Sequence, residues 1–419
     1  MVLGGNDGVV GGAHPTVSYL LSSQAVRDRT RALFVLAEAD RLQHWRYHRS
    51  ALPAAADYVL AVMQQQYPAG DVPFHSRWRH FEVAGRSRLD LLEPQLSALE
   101  PLEQARLKVD LAITSVLLDA GAGSRWRYVE PGTKLEFARS EGLAIASFHA
   151  FASGLFSSQP DAPWQADAIA LATLTARDLA QAFQVHSDNP LLGLEGRVAL
   201  LQKLGHALHQ QPQFFGVELP RPGNLVDYWL AQATDNTLSA PTLLQTVLRG
   251  LGPIWPGRVE LAGVNLGDVW PHPQLPDTGP GSNLVPFHKL SQWLTYSLLE
   301  PLQDLGLTIT DLDQLTGLAE YRNGGLFVDC GVLSLKDPAA AATAHVPGSP
   351  LIVEWRALTL CLLDDLAAHL RQTLGMDAAT LPLAKILQGG TWTAGRQIAA
   401  TKRPGGGPPI HLASDGTVF

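Results

Sequence analysis

The chain has 419 residues, of which 46% are hydrophobic and 17% charged, and this composition excludes general disorder. A formal net charge of −8, with Lys and Arg scattered along the sequence, disfavours binding to a nucleic acid polymer. Two cysteines cannot form a disulfide framework, and there is no apolar run of about 18 residues, so we expect a cytoplasmic protein with no membrane association.

Residues 1–24 are rich in glycine and lack the basic start of a signal peptide, so we predict a flexible lead-in there. From residue 25 onward, apolar residues recur at spacings of three and four, which is helical periodicity. The sequence therefore predicts a mainly α fold, with a single extended helical domain over 25–419. A division into subdomains 25–250 and 251–419 is the alternative.

Two short strands and one long helix stand out. The strands are predicted at 126–129 and 135–138, and Pro131-Gly132 between them favours the turn of a β-hairpin. The helix is predicted from Pro350, with Ser349 as its N-cap and Gly375 as its stop. Because residues 357–363 are almost entirely apolar, we expect this helix to be central.

An Arg-Trp-Arg triplet occurs twice, in SRWRHFE at 76–82 and in SRWRYVE at 124–130. In an extended segment the two arginines would point to one side and the tryptophan to the other. Guanidinium groups bind phosphate or carboxylate bidentately, so the triplets predict a site for a small anionic ligand. Structural ion pairs and cation–π contacts are the alternative. The candidate binding residues here are His75, Arg77, Trp78, Arg79, His80, Arg125 and Arg127.

The histidines lack the spacing of a metal motif, and the sequence has neither a GxGxxG fingerprint nor a P-loop, so we expect no metal and no nucleotide cofactor. The glycine-rich LDAGAG at 118–123 has no βαβ setting and is weak as a phosphate loop.

Polar residues form a stripe on an otherwise apolar helix predicted after residue 288, at Lys289, Gln292, Tyr296 and Glu300. In a sheltered cleft, desolvation would lower the pKa of Lys289 and make it a proton donor or a nucleophile. An exposed lysine at a helix start is the alternative.

Carboxylates follow downstream of this helix. Glu320 lies among apolar and aromatic residues, where a charge needs a function or a partner, and Arg322 is the nearest partner. Asp329 is also a candidate substrate-binding residue. Glu354 and Arg356 interrupt the long apolar helix, either as ligand-binding groups or as members of buried ion pairs.

These segments resemble the uracil catabolism protein family of fungi and bacteria, from about residue 25 to the end of the sequence. The similar blocks are VPFHSRWRHFE, LLDAGAGSRWRY, RSEGLA, DNPLLGLEGR, LGPIWPGR, LVPFHKLSQWLTYSLLEPL, LTGLAEYRNGGLFVD, VEWRAL, GGTW and SDGTVF. The resemblance implies a role in a pathway that degrades uracil after its conversion to a nucleotide, with urea among the products. It also implies a functional association with other enzymes of that pathway.

Three blocks, PFHKLSQWLTYSLL, AEYRNGGLFVDCGVL and VEWRALTL, are similar to blocks in the same order in queuosine 5′-phosphate N-glycosidases. Those enzymes are mainly helical and resemble helix-hairpin-helix DNA glycosylases, so the same multi-helix architecture is implied here. They carry a lysine in the first block and an aspartate in the second. The matching positions are Lys289 and Glu320, 31 residues apart (320 − 289), with a glutamate one methylene longer than the aspartate.

Together these observations predict a hydrolase that cleaves the N-glycosidic bond of a ring-opened uracil nucleotide, with Glu320 and Lys289 as catalytic residues. The products would be ribose phosphate and urea or a ureido fragment, and the arginines would hold the anionic substrate. An amidohydrolase acting on the pyrimidine ring or the ureido product is one alternative, and a non-catalytic nucleotide-binding protein is another. A DNA glycosylase is disfavoured by the charge.

Overall fold

Helices dominate the computed structural model, which describes residues 14–119 and 121–413. The first twelve α-helices of this part are α1 (Pro15–Leu20), α2 (Ser23–Glu38), α3 (Leu52–Gln66), α4 (Leu89–Leu96), α5 (Pro101–Leu117), α6 (Arg139–Ala152), α7 (Ala168–Thr173), α8 (Ala176–Ala182), α9 (Leu194–Gln210), α10 (Pro212–Phe215), α11 (Leu225–Gln232) and α12 (Ala240–Gly250). Those that follow are α13 (Lys289–Asp304), α14 (Tyr321–Asp329), α15 (Pro350–Leu374), α16 (Leu383–Ile386) and α17 (Trp392–Lys402). The mainly α prediction is confirmed, whereas the likeness to helix-hairpin-helix glycosylases stays a prediction.

The strands are short and pair two by two. The antiparallel pairs are β1 (Trp45–Tyr47) with β10 (Leu333–Leu335), β2 (Tyr128–Val129) with β3 (Glu136–Phe137), β5 (Glu260–Leu261) with β6 (Val264–Asn265), and β7 (Val269–Pro271) with β8 (Leu284–Pro286). The parallel pairs are β4 (Thr237–Ser239) with β9 (Thr308–Thr310), and β11 (Ala344–His345) with β12 (His411–Leu412). The pair β2–β3 is the predicted hairpin, and Gly132 adopts a φ of 77° in its turn.

The N-terminal lead-in predicted over 1–24 is helical from Pro15 onward. Leu20 in α1 is fully buried, and the Ser22 hydroxyl accepts a hydrogen bond from the Ala25 amide, which caps α2. The helical structure here follows from this cap and from the buried apolar face of the two helices. Residues 1–13 of the predicted lead-in lie outside the described residues.

The long helix α15 lies in the core as predicted. Pro350 occupies its first position, and Gly375 ends it with a φ of 65°, a left-handed conformation that glycine adopts without strain. Ser349 stands at the N-cap, but its hydroxyl forms no capping hydrogen bond. Helix α2 packs along α15. No helix in the described ranges has both the length and the apolar character needed to cross a membrane.

One cluster of buried apolar side chains runs from Val17 to Ile410 and includes residues on both sides of position 250. Within it, α13 packs against α5 and α12, while α14 packs against α15 and α17. Lys289 therefore stands at the first position of one core helix, and Glu320 immediately precedes another.

A π-helical turn, Leu387–Thr391, joins α16 to α17. Gly389 and Gly390 in this turn pack against α3. A Cβ atom at Gly389 would lie 2.7 Å from Val72, and one at Gly390 would lie 2.6 Å from Val59. Only glycine allows this approach, and the turn leads directly into Trp392. Such turns are frequent at functional sites.

Candidate functional site

Lys289 begins α13, after His288 in a left-handed conformation with a φ of 49°. Its backbone amide donates to Asp268 Oδ2 at 3.1 Å. Burial lowers the pKa of the Lys289 ammonium, and the carboxylates of Glu320 and Asp119 oppose that effect. Lys289 is half-buried, and within the described ranges its ammonium forms no hydrogen bond or ion pair.

Glu320 is the N-cap of α14. Its two carboxylate oxygens accept hydrogen bonds from the backbone amides of Arg322, at 2.8 Å, and Asn323, at 2.7 Å. Burial raises the pKa of Glu320, while the two amides and Lys289 oppose the rise. The suggested side-chain partnership of Glu320 with Arg322 is not what the structure has, since Arg322 Nη1 donates to the Gly406 carbonyl at 2.8 Å.

The charges of Lys289 and Glu320 interact, so each group favours the charged form of the other. Such an interaction weakens steeply with distance and with water between the groups. This electrostatic coupling links two residues that are far apart in sequence. The Asp119 carboxylate also favours the charged form of Lys289. We call these three residues, Lys289, Glu320 and Asp119, the Lys289 cluster.

Asp119 connects the Lys289 cluster to Arg77. The Arg77 Nη1 atom lies 3.2 Å from Asp119 Oδ1, and its Nε donates to Ser115 Oγ at 2.7 Å. Ser140 Oγ lies within 2.7 Å of both Asp119 oxygens. Arg77 is fully buried, and burial lowers its pKa while Asp119 opposes that effect. Sequence reasoning missed Asp119, although an acidic residue between a helix end and the glycines of LDAGAG was a usable signal.

Two aromatic rings stand beside this arginine: Trp293, with its centroid 5.7 Å from the guanidinium, and His80, with its Nδ1 3.2 Å from Arg77 Nη1. His75 lies between Trp293 and Trp392, with ring centroids 6.3 and 5.9 Å away, and His80 lies 5.8 and 6.0 Å from the same two rings. Burial lowers the pKa of His75 to about 4 and that of His80 well below its usual value. Both imidazoles are therefore neutral near pH 7.

The first triplet is not extended. Residues Arg77–Phe81 form a 3₁₀ helix, in which the Arg79 amide donates to the Ser76 carbonyl. The expected alternation of arginine and tryptophan across an extended segment is therefore wrong for this copy. Trp78 is buried and its Nε1 donates to the Ser297 carbonyl at 2.8 Å.

Arg79 is held by an acidic partner on α13. Its Nη2 donates to Glu300 Oε1 at 2.7 Å, and its Nη1 lies 2.8 Å from Glu82. This ion pair ties the first triplet to the same helix that begins with Lys289, and it occupies the guanidinium.

The second triplet belongs to the β2–β3 hairpin. Arg125 is exposed. Arg127 Nη1 donates to the carbonyls of Ser124 and Trp126, and its Nε lies 3.5 Å from Glu136. Among the described residues, neither arginine contacts the Lys289 cluster. The two triplets are thus not brought together by any contact that the structure shows.

Arg356 joins the site through Asp268. Its two terminal nitrogens each lie 2.7 Å from an Asp268 oxygen, and its Nε donates to the Ala319 carbonyl at 3.1 Å. Burial alone would raise the pKa of Asp268, but Arg356 lowers it to about 2. Asp268, which sequence reasoning also missed, thereby links Arg356 to the amide of Lys289.

Asp329 and Glu354 have structural partners. Asp329 forms a bidentate pair with Arg403, with both distances at 2.6 Å. Glu354 is fully buried and accepts hydrogen bonds from the backbone amides of Gln43, at 3.3 Å, and His44, at 3.0 Å. Glu354 and Arg356 are therefore both in buried polar contacts, but with different partners.

A small pocket of about 20 Å³ adjoins the start of α13, and Asp268, His288 and Ser291 are among its lining residues. A second pocket, of about 320 Å³, lies between α2 and α12. Lys289 and Glu320 line neither of these two cavities. Over residues 14–119 and 121–413, no group of three or more His, Cys, Asp or Glu side chains is arranged to hold a metal ion.

The fold and site define a mainly helical protein with a half-buried lysine and glutamate and a buried arginine paired with an aspartate. A model of the family described as "Protein of unknown function (DUF1688)" matches residues 19–419, and the chain belongs to this family. It is 42% identical to Protein urg3 of Schizosaccharomyces pombe over 412 residues, which cover 96% of this chain and 99% of that protein. It is 40% identical to Uracil catabolism protein 4 of Lachancea kluyveri over 442 residues, with the same coverage of both proteins. The predicted family resemblance is confirmed.

Proposed function

We propose that this protein acts in uracil catabolism as a hydrolase of the N-glycosidic bond in a ring-opened uracil nucleotide, such as a ribosylurea 5-phosphate. The name of the Lachancea kluyveri relative supports the pathway. The observation that carries the reaction is the electrostatic coupling of two half-buried groups, the Lys289 ammonium and the Glu320 carboxylate. Catalytic acids and bases have pKa values shifted in this way.

Glu320 would act on the sugar. As the bond between C1′ and nitrogen breaks, positive charge develops on the ribose ring, and a nearby carboxylate stabilises that charge. The same carboxylate takes a proton from the water that attacks C1′. Its two hydrogen bonds to backbone amides fix its orientation before substrate binds.

Lys289 would act on the leaving group. The electron pair of the broken bond moves to the departing nitrogen, and the Lys289 ammonium donates a proton there to release urea. Its lowered pKa makes it a better acid than an exposed lysine. The proton on Glu320 then returns to Lys289 and restores both groups. Schiff-base formation between Lys289 and C1′ is a variant of the same chemistry.

Among the four arginines of the triplets, Arg77 has the strongest support as the group that binds the substrate anion. It contacts Asp119 of the Lys289 cluster, and its Nη2 is buried without a hydrogen-bond partner in the described ranges. A phosphate or a negatively charged fragment would supply a hydrogen-bond acceptor for that Nη2. Burial of an unused donor is costly unless a ligand satisfies it.

The test is the substitution Glu320→Gln. We expect it to lower turnover of ribosylurea 5-phosphate by more than about 100-fold with little loss of affinity, since the amide cannot accept the proton. Urea and ribose 5-phosphate are followed by mass spectrometry, and affinity by calorimetry. The matched control is Glu260→Gln at the exposed end of β5, which should keep wild-type turnover.

Two outcomes would contradict the proposal. Normal turnover by Glu320→Gln would remove this carboxylate from the reaction. Tight binding without turnover, by the wild type and the variant alike, would indicate a non-catalytic nucleotide-binding protein instead.

A further inference from the structure

Gln292 is a fully buried amide on α13, one turn after Lys289. Neither its Nε2 nor its Oε1 has a hydrogen-bond partner within residues 14–119 and 121–413. Nearly all buried polar groups in proteins are hydrogen-bonded, so a side chain that leaves both unused needs a reason.

Two residues on the same face of α13 indicate what Gln292 faces. Lys289 precedes it by three positions and interacts with Glu320, while Tyr296 follows by four and its hydroxyl donates to the Thr316 carbonyl at 2.7 Å. Residues three and four apart share one face of a helix. Gln292 therefore lies on the face of α13 that begins with Lys289 and on which the tyrosine hydroxyl reaches Thr316.

A second buried amide stands on α14. Asn323 follows Glu320 by three residues, as Gln292 follows Lys289, and only 1% of it is exposed. Its Nδ2 donates to the Leu318 carbonyl at 3.1 Å, but its Oδ1 has no partner among the described residues. Each of the two helices that carry the charged pair thus also holds an amide with unused hydrogen-bonding capacity.

We propose that Gln292 is a specificity residue that binds the ureido group of the substrate. Its Oε1 accepts from a ureido N–H while its Nε2 donates to the ureido carbonyl, and Asn323 Oδ1 accepts a further N–H. A ureido group offers a carbonyl and several N–H groups, whereas ribose 5-phosphate has no N–H to offer. This inference rests on the proposed function and assigns the part of the substrate that leaves.

A site built to hydrogen-bond a substrate rejects analogues that lack the bonding groups, because its own polar atoms stay unpaired. Before substrate binds, the polar atoms of Gln292 are unpaired, and this lowers the stability of the ligand-free fold. Replacing it with methionine, which is similar in length and apolar, removes both the cost and the recognition.

The experiment measures dissociation constants for ribosylurea 5-phosphate and for ribose 5-phosphate by calorimetry, in the Glu320→Gln background so that nothing is turned over. We expect Gln292→Met to weaken binding of ribosylurea 5-phosphate by roughly tenfold or more and to leave binding of ribose 5-phosphate unchanged. The thermal midpoint of ligand-free Gln292→Met should equal or exceed that of its parent.

The control is Gln165→Met, which removes another buried glutamine with an unpaired Nε2. It should leave both dissociation constants unchanged. Equal weakening of both ligands by Gln292→Met, with a lowered thermal midpoint, would assign Gln292 to the structure of the fold and overturn the inference.

Failure of the inference and failure of the proposed function give different results. If the parent binds and the wild type hydrolyses ribosylurea 5-phosphate, but Gln292→Met binds it as tightly as the parent, only the role of Gln292 is overturned. If the parent does not bind ribosylurea 5-phosphate at all, the proposed function is overturned together with the inference.

Discussion

The two Arg-Trp-Arg triplets have the same residues but different surroundings. In the first, Arg77 is fully buried against Asp119. In the second, Arg127 is 43% exposed and lies beside Glu136, which is 61% exposed. Both tryptophans are buried. The shared part of the motif is therefore an aromatic anchor, whereas the environment decides whether an arginine becomes a buried, paired group or a solvated one.

The flanking residues explain part of the difference. Positions 75 and 80, which are histidines in the first copy, correspond to Gly123 and Tyr128 in the second. The first copy forms a 3₁₀ helix under α13, while the second leads from a glycine with a φ of 82° into β2. A repeated tripeptide is too short to fix its own conformation, so tertiary contacts decide it.

The largest expected effect is on stability, from Arg77→Ala compared with Arg127→Ala. Removing Arg77 leaves Asp119 and Ser115 without their cation in a buried position, and we expect a loss of about 3–5 kcal/mol in the free energy of unfolding. Removing Arg127 breaks an exposed pair and should cost about 0–1 kcal/mol. Urea denaturation of both variants checks this, and equal losses would show that the two copies do not differ in this respect.

A smaller effect should depend on pH and arise only from the first copy. The pKa of His75 is about 4 in the fold and 6.5 as the ordinary value, so the unfolded chain binds more protons between these limits. The contribution of neutral His75 to the free energy of unfolding is therefore fully present above pH 6.5 and is lost as the pH falls towards 4. At about 1.4 kcal/mol for each pH unit, the loss is up to about 3 kcal/mol.

His75→Gln should remove that part of the pH dependence, because glutamine does not titrate and can still bond to Gln388. Thermal midpoints measured from pH 7 to pH 4 check the difference between variant and wild type. His186→Gln, at an exposed position, is the control and should follow the wild-type curve. If the thermal midpoint of His75→Gln depends on pH in the same way as that of the wild type, the expectation is contradicted.

The smallest effect should distinguish the remaining arginines. Arg79 is 21% exposed and pairs with Glu300, and burial raises the pKa of that glutamate. Arg79→Ala should therefore lower the free energy of unfolding by about 1 kcal/mol. Arg125 is exposed, and we expect Arg125→Ala to leave the denaturation midpoint unchanged. A clear loss in Arg125→Ala would show that the second copy has a partner that its solvated position does not suggest.

Much of the fold could be predicted because it follows from local patterns. Periodicity and the residues at helix ends placed α15 between Pro350 and Gly375, and the Pro-Gly turn located the hairpin. The predicted conformation of the first triplet was wrong, because the alternation of arginine and tryptophan side chains assumes an extended chain. A 3₁₀ turn replaced it where Arg79 bonds back to Ser76.

The site was harder to predict because its contacts are distant in sequence. Lys289 and Glu320 were found from their polar character in apolar surroundings and from the resemblance, whereas Asp119 and Asp268 were missed because each partner lies on another element. No local pattern shows that Arg356 pairs with Asp268, 88 residues away (356 − 268), and not with Glu354. Such pairings exist only once the helices have packed.

The π-helical turn at Leu387–Thr391 imposes a constraint on side-chain size and not on chain length. A π turn contains about one residue more than an α turn, so the loss of one residue there would convert it to an α turn and leave the direction of the later side chains in α17 nearly unchanged. Trp392 would then stay beside His75 and His80. A Cβ atom at Gly389 or Gly390, which would lie within 2.7 Å of Val72 or Val59, should therefore be more damaging than a deletion in the paired glycines.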